Sequence, residues 1–197
     1  MRATKNQNKI KGKALNHKVK IIAGSLRGRN ITFDSGEGLR PTLSQVRETL
    51  FNWLSHDINQ AHCLDLYAGS GALGFEAASR GASSVVMVDA SSAVVHNLQK
   101  NIQQFSTSNI TTVHNKAEDF LKKNKQLFDI VFLDPPFEKD MLKIILSKLL
   151  PHLSENALIY IEQEMPNTIN NLNLEWKILK TKKTSRLNYG LISIKNS

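Results

Sequence analysis

The sequence is poor in several residue types and patterns, and each shortage excludes a class of protein. It contains a single cysteine, Cys63, so no intramolecular disulfide framework can form. Its apolar residues form no run near the ~18 residues that a membrane-spanning helix requires. The first twenty residues are basic but lack the apolar core of a secretory signal peptide. We therefore expect a cytoplasmic protein with one main domain and a small appendage.

Metal-binding patterns are also missing. The six histidines are scattered without the spacing of metal ligands, and one cysteine makes a zinc site a poor interpretation. Cys63 lies inside an apolar segment and is interpreted as a buried small hydrophobic residue. We expect no bound metal.

Acidic residues are absent from both ends of the chain. Residues 1–33 contain nine Lys and Arg, and the residues after Glu175 contain six more, with no acid in either segment. The segment between them has eleven Lys and Arg and all 17 acids, a net charge of −6. Solvated lysine tails are common, but two basic ends on a weakly acidic body favour a polyanionic partner, and nucleic acid is the simplest choice.

The apolar pattern predicts a doubly wound α/β fold. From Ala61 onward, strands are predicted near 62–67, 84–89, 110–114, 128–133 and 156–161, and helices near 72–80, 91–104, 117–124 and 139–150. Segments 174–181 and 186–194 read as a closing antiparallel pair. Before the sheet, Val19–Gly24 and Arg29–Phe33 predict a β-hairpin, and Thr42 with Gln45 predicts a capping box that opens a helix.

A glycine-rich turn follows the first strand of the alternating series. Gly69, Gly71 and Gly74 have the spacing of the dinucleotide fingerprint, and Asp89 ends the next strand twenty residues after Gly69. Such glycines let the backbone approach a ligand, and the helix N-terminus offers unpaired N–H groups. Asp89 could hold ribose hydroxyls. Because NAD and S-adenosylmethionine (SAM) both present an adenosine ribose, the turn alone leaves both cofactors possible.

Asp65 favours SAM. It lies four residues before Gly69, at the tip of the first strand, where the linking group of either cofactor would run. A carboxylate there would repel a dinucleotide pyrophosphate but attract the sulfonium and amino groups of SAM. The cofactor residues expected around this turn are Asp65, Ala68, Gly69, Ser70, Gly71 and Asp89.

The segment Asp134-Pro135-Pro136-Phe137 is the strongest pointer to function. It directly follows the apolar strand Phe128–Leu133, at the edge where open α/β sheets bind ligands. Its prolines supply no N–H and hold the preceding residues extended, so backbone carbonyls stand beside a carboxylate and an aromatic face. Such a site can accept both hydrogens of a flat exocyclic NH2 group. Alone, the segment fits a turn with Asp134 as a helix cap equally well, but together with the glycine turn it indicates a methyltransferase acting on nitrogen.

With these residues placed, the chain closely resembles the RsmD family of bacterial 16S rRNA guanine-N2-methyltransferases. The glycine turn and the Asp134 segment are shared by many amino-methyltransferases, whereas three further stretches are specific to this family. The stretches that match are residues 21–29, 39–42, 46–54, 64–74 and 132–137. The resemblance covers the chain from about residue 18 to 194.

The resemblance implies a class I SAM-dependent methyltransferase fold, a Rossmann-like, mostly parallel sheet with an antiparallel C-terminal hairpin and a small N-terminal β-hairpin and helix. It implies methyl transfer from SAM to N2 of one guanine in 16S rRNA, within the small ribosomal subunit or a late assembly intermediate, by a monomer. Residues 1–17 would be a disordered basic tail, 18–57 an RNA-binding hairpin and helix, and 58–197 the methyltransferase domain.

The resemblance also implies roles for individual residues. The catalytic residues would be Asp134, Pro135, Pro136 and Phe137, with Phe137 stacking on an extruded base. Further cofactor contacts are expected from Arg40, Thr42, Ala117 and Glu118. RNA contacts are expected from Lys18, Lys20, Arg27, Arg29, Lys182 and Arg186. Two positions depart from the family: Lys116 replaces a frequent acid near the adenine, so that Glu118 or a backbone group must serve, and Ser185 replaces a common glycine.

Three other functions stay open at this point. An adenine-N6 methyltransferase acting on DNA or RNA uses nearly the same four residues as the Asp134 segment. An NAD-dependent oxidoreductase shares the glycine spacing. A non-catalytic RNA-binding protein on a decayed methyltransferase fold shares the basic ends, although intact Asp134, Gly69 and Gly71 argue against it.

Overall fold

The computed structural model describes residues 16–34, 42–135, 141–166, 169 and 175–195. The predicted basic tail up to residue 15 lies outside the described residues, as do the predicted site residues Arg40, Pro136 and Phe137.

The described chain forms a two-stranded ribbon and a seven-stranded sheet flanked by helices. The strands are β1 Asn16–Lys20, β2 Asn30–Asp34, β3 His62–Asp65, β4 Ser84–Asp89, β5 Ile110–His114, β6 Phe128–Leu133, β7 Leu153–Glu164, β8 Trp176–Lys183 and β9 Leu187–Ile194. The helices are α1 Ser44–Trp53, α2 Ala72–Ser79, α3 Ser92–Phe105, α4 Ala117–Lys123 and α5 Met141–Leu149, followed by a 3₁₀ turn at Leu150–His152. None of the described helices is long and apolar enough to cross a membrane.

The order of strands in the large sheet is β5-β4-β3-β6-β7-β9-β8. Strands β3 to β7 are parallel, and β9 is antiparallel to both of its neighbours. The chain moves outward from β3 to β5 on one side and restarts at β6 on the other, so the strand order reverses between β3 and β6. Ligands of open α/β sheets bind at the carboxyl ends of the strands beside such a reversal. The predicted mostly parallel sheet with an antiparallel C-terminal hairpin is confirmed.

Two apolar cores cover the two faces of the sheet. The ribbon, α1, α2 and α3 pack on one face, where Phe51, Phe75 and Phe132 are fully buried. Helices α4 and α5 pack on the other face. The ribbon and α1 therefore share a core with the sheet. The predicted domain boundary near residue 57 stays a prediction.

Polar contacts join the N-terminal ribbon to α2. Both carboxylate oxygens of the buried Glu76 accept backbone N–H groups, from Ile22 at 2.8 Å and Ala23 at 3.0 Å. At Gly24 an added Cβ would lie 1.8 Å from the Ser79 carbonyl oxygen, so only glycine permits this close approach. The ribbon is thus held along the helix that begins at the glycine turn.

Two local predictions need correction. The hairpin strands are Asn16–Lys20 and Asn30–Asp34, so its connection is longer than predicted and contains the segment that contacts α2. The predicted capping box was wrong, because α1 begins at Ser44 with Leu43 as its N-cap and no side-chain cap bond. The Thr42 carbonyl instead accepts the Arg47 Nε–H at 3.3 Å.

Candidate active site

The glycine turn has a backbone that only glycine adopts easily. Gly69 has a φ of 50° and Gly71, the N-cap of α2, a φ of 77°. A Cβ on Gly71 would also lie 2.6 Å from the Leu98 side chain. The turn closes through a 2.7 Å bond from the Gly71 N–H to the Ala68 carbonyl. The predicted residues Ala68 to Gly71 thus form one rigid loop at the start of α2, which presents backbone rather than side chains.

Asp89, at the end of β4, organises this loop. Its Oδ2 accepts the Gly69 N–H at 3.0 Å, and its Oδ1 accepts the Ser91 N–H at 2.8 Å. The role in shaping the loop was not predicted from the sequence. A carboxylate has about four acceptor positions, so capacity remains for the hydroxyls of a ribose.

Asp65, at the end of β3, is a buried acid whose charge is poorly compensated. Its Oδ2 accepts the Gly74 N–H at 3.1 Å, and its residue is 3% exposed. Burial, and then the carboxylates of Asp134 and Asp89, raise the pKa of Asp65 to about 7, and the Gly74 hydrogen bond only partly opposes this. A positively charged ligand at this point would relieve the unfavourable charge.

Gly74 allows α2 to approach the sheet. A Cβ at this position would lie 2.5 Å from the Met87 sulfur and 3.3 Å from Asp65 Oδ2. Only glycine therefore permits both the helix packing and the short hydrogen bond to Asp65. The third glycine of the motif acts through packing rather than through the ligand.

Asp134 follows β6 directly beside β3. The two strands are linked at this end by a 3.2 Å bond from the Leu66 N–H to the Phe132 carbonyl. Burial raises the pKa of Asp134 to about 6, and the neighbouring Pro135 is buried. The remaining two residues of the motif lie outside the described residues. The first two, Asp134 and Pro135, lie at the reversal of the strand order, with the carboxyl of Asp134 close enough to Asp65 to raise its pKa.

The sequence reasoning missed Glu162, a buried acid on β7. Its Oε1 accepts the hydroxyl of Tyr160, and the Thr42 side chain also hydrogen-bonds to its carboxyl. Burial and the nearby Asp134 raise the pKa of Glu162 to about 8. An acid that follows the apolar run Ala157–Ile161 of a buried strand was a usable signal, because glutamate is seldom fully buried unless it is paired.

Four acids therefore line the carboxyl edge of the sheet on four neighbouring strands. In spatial order they are Asp89 on β4, Asp65 on β3, Asp134 after β6 and Glu162 on β7. Each of the four directly follows a residue of the core covered by α4 and α5, so alternation along the strands turns the acids toward the opposite face, which carries the ribbon and α1. The sequence predicted the first three separately, and their adjacency follows from the strand order.

The predicted adenine contacts lie at the start of α4. Lys116 is the N-cap and Ala117, which is buried, is the first helical residue. Glu118 forms an ion pair with Lys148 of α5. With Lys116 in place of an acid, the backbone N–H groups at the helix start are available to contact the adenine. The carboxylate of Glu118 already pairs with Lys148 and so links α4 to α5.

The predicted RNA contacts form two exposed groups. Lys18, Lys20, Arg27 and Arg29 are exposed on the ribbon and its connection. That connection contacts α2 at Ser79, at the end of the eight-residue helix and about 12 Å along it from the glycine turn.

The second group lies near the acid row. Lys182 and Arg186 are exposed, and Lys182 pairs with Tyr189, which in turn pairs with Glu162. This places the end of β8 and the turn after it at the same edge of the sheet as Asp134.

Sequence comparisons identify relatives over nearly the whole chain. Residues 19–193 match the family described as conserved hypothetical protein 95. The ribosomal RNA small subunit methyltransferase D of Haemophilus influenzae is 43% identical over 179 residues, which cover 88% of this chain and 92% of that protein. The protein of the same name from Escherichia coli K12 is 39% identical over 175 residues and 88% of each chain.

Solved structures share the fold. The putative methyltransferase yhhF from Escherichia coli superposes with a TM-score of 0.83 at 38% identity, covering 90% of this chain and 98% of that one. The 16S rRNA N2 G1207 methyltransferase RsmC of Thermus thermophilus, solved with AdoMet and guanosine, gives a TM-score of 0.68 at 22% identity, covering 92% of this chain and 50% of that one. The second likeness concerns the fold alone.

Proposed function

We propose a function from the premise that this chain belongs to the conserved hypothetical protein 95 family, together with the proteins named ribosomal RNA small subunit methyltransferase D. The proposed reaction is the transfer of a methyl group from SAM to the N2 amine of one guanine in 16S rRNA. The observation that carries the proposal is the position of Asp134 and Pro135 beside Asp65, where the strand order reverses. Family membership argues against the NAD-dependent oxidoreductase that the glycine spacing left open.

The residues around the glycine turn fit SAM. Asp89 has acceptor capacity for the ribose, and the loop from Ala68 to Gly71 exposes backbone close to the place of the linking group. Asp65 is a buried carboxyl whose ionised form gains from a nearby cation, as the raised pKa of about 7 indicates. A dinucleotide would instead bring a pyrophosphate to this carboxyl. When bound, SAM supplies a methyl group on an electron-poor sulfur.

On the acceptor side, Asp134 and Pro135 hold the amine. The N2 lone pair of guanine is delocalised into the ring, so the amine is a poor nucleophile. The Asp134 carboxylate and the Pro135 carbonyl would each accept one N–H, which favours a tetrahedral nitrogen with its lone pair directed away from both acceptors. With a pKa of about 6, Asp134 is about nine-tenths ionised at pH 7.

Positioning and electrostatics then account for most of the rate. The acceptors are fixed on the ends of packed strands and cost no rearrangement during the reaction. Asp134 also lies where positive charge develops on the nitrogen. Pro136 and Phe137 complete the motif, with Phe137 proposed to stack on the base.

The basic groups support an RNA substrate. Lys182 and Arg186 flank the acid row and would hold phosphates next to the target base, and Arg27 and Arg29 would contact RNA further away. We propose that the substrate is the small ribosomal subunit or a late assembly intermediate, and that the enzyme acts in the cytoplasm as a monomer.

A labelling experiment tests this proposal. The full chain is incubated with methyl-labelled SAM and, separately, small subunits, naked 16S rRNA and DNA, and the labelled nucleoside is identified after digestion. We expect N2-methylguanosine from the ribosomal substrate. Label in N6-methyladenosine, or no transfer to any substrate, would contradict the proposal.

The variant Asp134→Ala tests whether Asp134 takes part in methyl transfer rather than in SAM binding. It should lower turnover by at least roughly 100-fold, or about 3 kcal/mol of barrier, while SAM affinity by calorimetry stays within a few-fold. A variant that methylates at nearly the original rate would reduce Asp134 to a helix cap.

A further inference from the structure

Glu162 is a buried carboxyl at the site to which no cofactor or amine contact has been assigned. It is 3% exposed, the Tyr160 hydroxyl donates to its Oε1, and the Thr42 side chain hydrogen-bonds to it as well. Both partners are neutral, so they orient the carboxyl but do not balance the negative charge of its ionised form. A hydrogen-bond donor on a bound ligand would stabilise that form.

The strand order places Glu162 on the acceptor side of Asp134. Leu133 pairs with Ile161 in parallel register, so the next residue on each chain, Asp134 and Glu162, are neighbours. Asp65 and the glycine turn lie on the opposite side of Asp134. With the cofactor on the Asp65 side, a base whose amine is held by Asp134 would have its adjacent ring atoms within reach of Glu162.

The chemistry of the two candidate bases differs at that adjacent atom. In guanine the N2 amine is followed by N1–H, a second donor, whereas in adenine the N6 amine is followed by N1, an acceptor. A carboxylate accepts and cannot donate. We propose that Glu162 accepts the guanine N1–H while Asp134 accepts an N2–H, so that Glu162 selects guanine; the inference rests on the proposed function.

The groups around Glu162 determine when it can act. Asp134 approaches from β6, Tyr160 from its own strand, Tyr189 from β9 and Thr42 from the segment before α1. With a pKa of about 8, Glu162 is ionised in roughly one free molecule in ten at pH 7. The N1–H of guanine favours the ionised form. The KM for RNA should therefore fall up to about tenfold between pH 7 and pH 9, and this fall should disappear in Glu162→Gln.

Replacing one atom of the substrate tests the contact directly. The target guanine, once the label is mapped to one position in the RNA, is replaced by 2-aminopurine, which keeps the N2 amine but has an acceptor at N1. The protonated carboxyl can donate to an acceptor at N1, whereas the ionised carboxylate can only accept. The preference of the wild-type protein for guanine in kcat/KM should therefore grow at least roughly tenfold between pH 7 and pH 9. In Glu162→Gln, whose amide does not titrate, this growth should disappear.

Glu164→Gln is the control, because Glu164 lies two residues further along the same strand and is exposed. It should leave the growth of the preference with pH unchanged. Equal losses on both substrates in Glu162→Gln, with the growth of the preference intact, would make Glu162 a structural residue and overturn the inference. If melting and SAM binding show that this variant does not fold, Tyr160→Phe replaces it, and an unchanged growth of the preference there would overturn the inference too. A wild-type protein that forms no N2-methylguanosine would refute the proposed function itself.

Discussion

Replacing Asp65 by asparagine should stabilise the free protein at neutral and alkaline pH and weaken its binding of SAM. Asparagine keeps an oxygen for the Gly74 N–H and nearly the same shape, but it cannot ionise. The substitution therefore removes a buried negative charge without opening a cavity. Its effect on stability should depend on pH, because the charge it removes does.

The pKa of Asp65 sets the direction and size of that dependence. It is about 7 in the folded protein against 3.8 ordinarily, so between these values the folded chain binds one more proton than the unfolded chain. The free energy of unfolding then falls as pH rises, and the fall levels off about one pH unit above the folded pKa. Three pKa units correspond to about 4 kcal/mol, of which roughly 2 kcal/mol is lost between pH 5 and pH 7.

Urea unfolding at pH 5, 6, 7 and 8, followed by circular dichroism, measures this directly. The stability of Asp65→Asn minus that of the wild-type protein should grow by about 2–3 kcal/mol across the series. Asp57→Asn, at an exposed acid, is the control and should show no such growth. Over the same pH range, SAM should bind Asp65→Asn more weakly than the wild-type protein, by about 1.5–3 kcal/mol of binding free energy. A difference in stability that is constant with pH would refute the reasoning.

Two further variants separate cofactor binding from RNA binding. Asp89→Ala should weaken SAM binding in calorimetry by about 1.5–3 kcal/mol, because it removes acceptors for the ribose and the partner of the Gly69 N–H, and unchanged affinity would contradict this role. The double change Arg27→Ala with Arg29→Ala should flatten the log–log salt dependence of RNA binding by up to about 1.4–1.8, since each lost phosphate contact removes about 0.7–0.9, while SAM affinity stays constant. An unchanged slope of the salt dependence would mean that Arg27 and Arg29 do not contact phosphates.

Local patterns made most of the fold predictable. Alternation of short apolar strands with helical segments is a property of neighbouring residues, and the predicted strands at 84–89, 110–114 and 128–133 match the observed ones. The antiparallel closing pair was also predicted correctly. The hairpin boundaries and the capping box were not, because Gly24 and Arg47 are used in contacts with α2 and with the Thr42 carbonyl that no local pattern reveals.

The chemical groups at the site, and the strand that each one follows, could be recognised from neighbouring residues alone. Asp65, Asp89 and Asp134 each follow an apolar strand, and parallel strands carry such residues to one edge of the sheet. Glycine spacing and the Asp-Pro-Pro-Phe segment are likewise local, so the cofactor and the amine chemistry could be inferred without a structure. The family resemblance supplied the target base.

Which acids are neighbours, and how their charges interact, depends on how the strands assemble in three dimensions. Strand order is set by long-range packing, so the adjacency of Glu162 to Asp134 depends on residues far apart in sequence. The raised pKa values of about 7 for Asp65 and about 8 for Glu162 arise from burial under the ribbon and helices, which no short segment encodes. The physical reason is that burial and charge coupling depend on distance in space, whereas motifs record only distance along the chain.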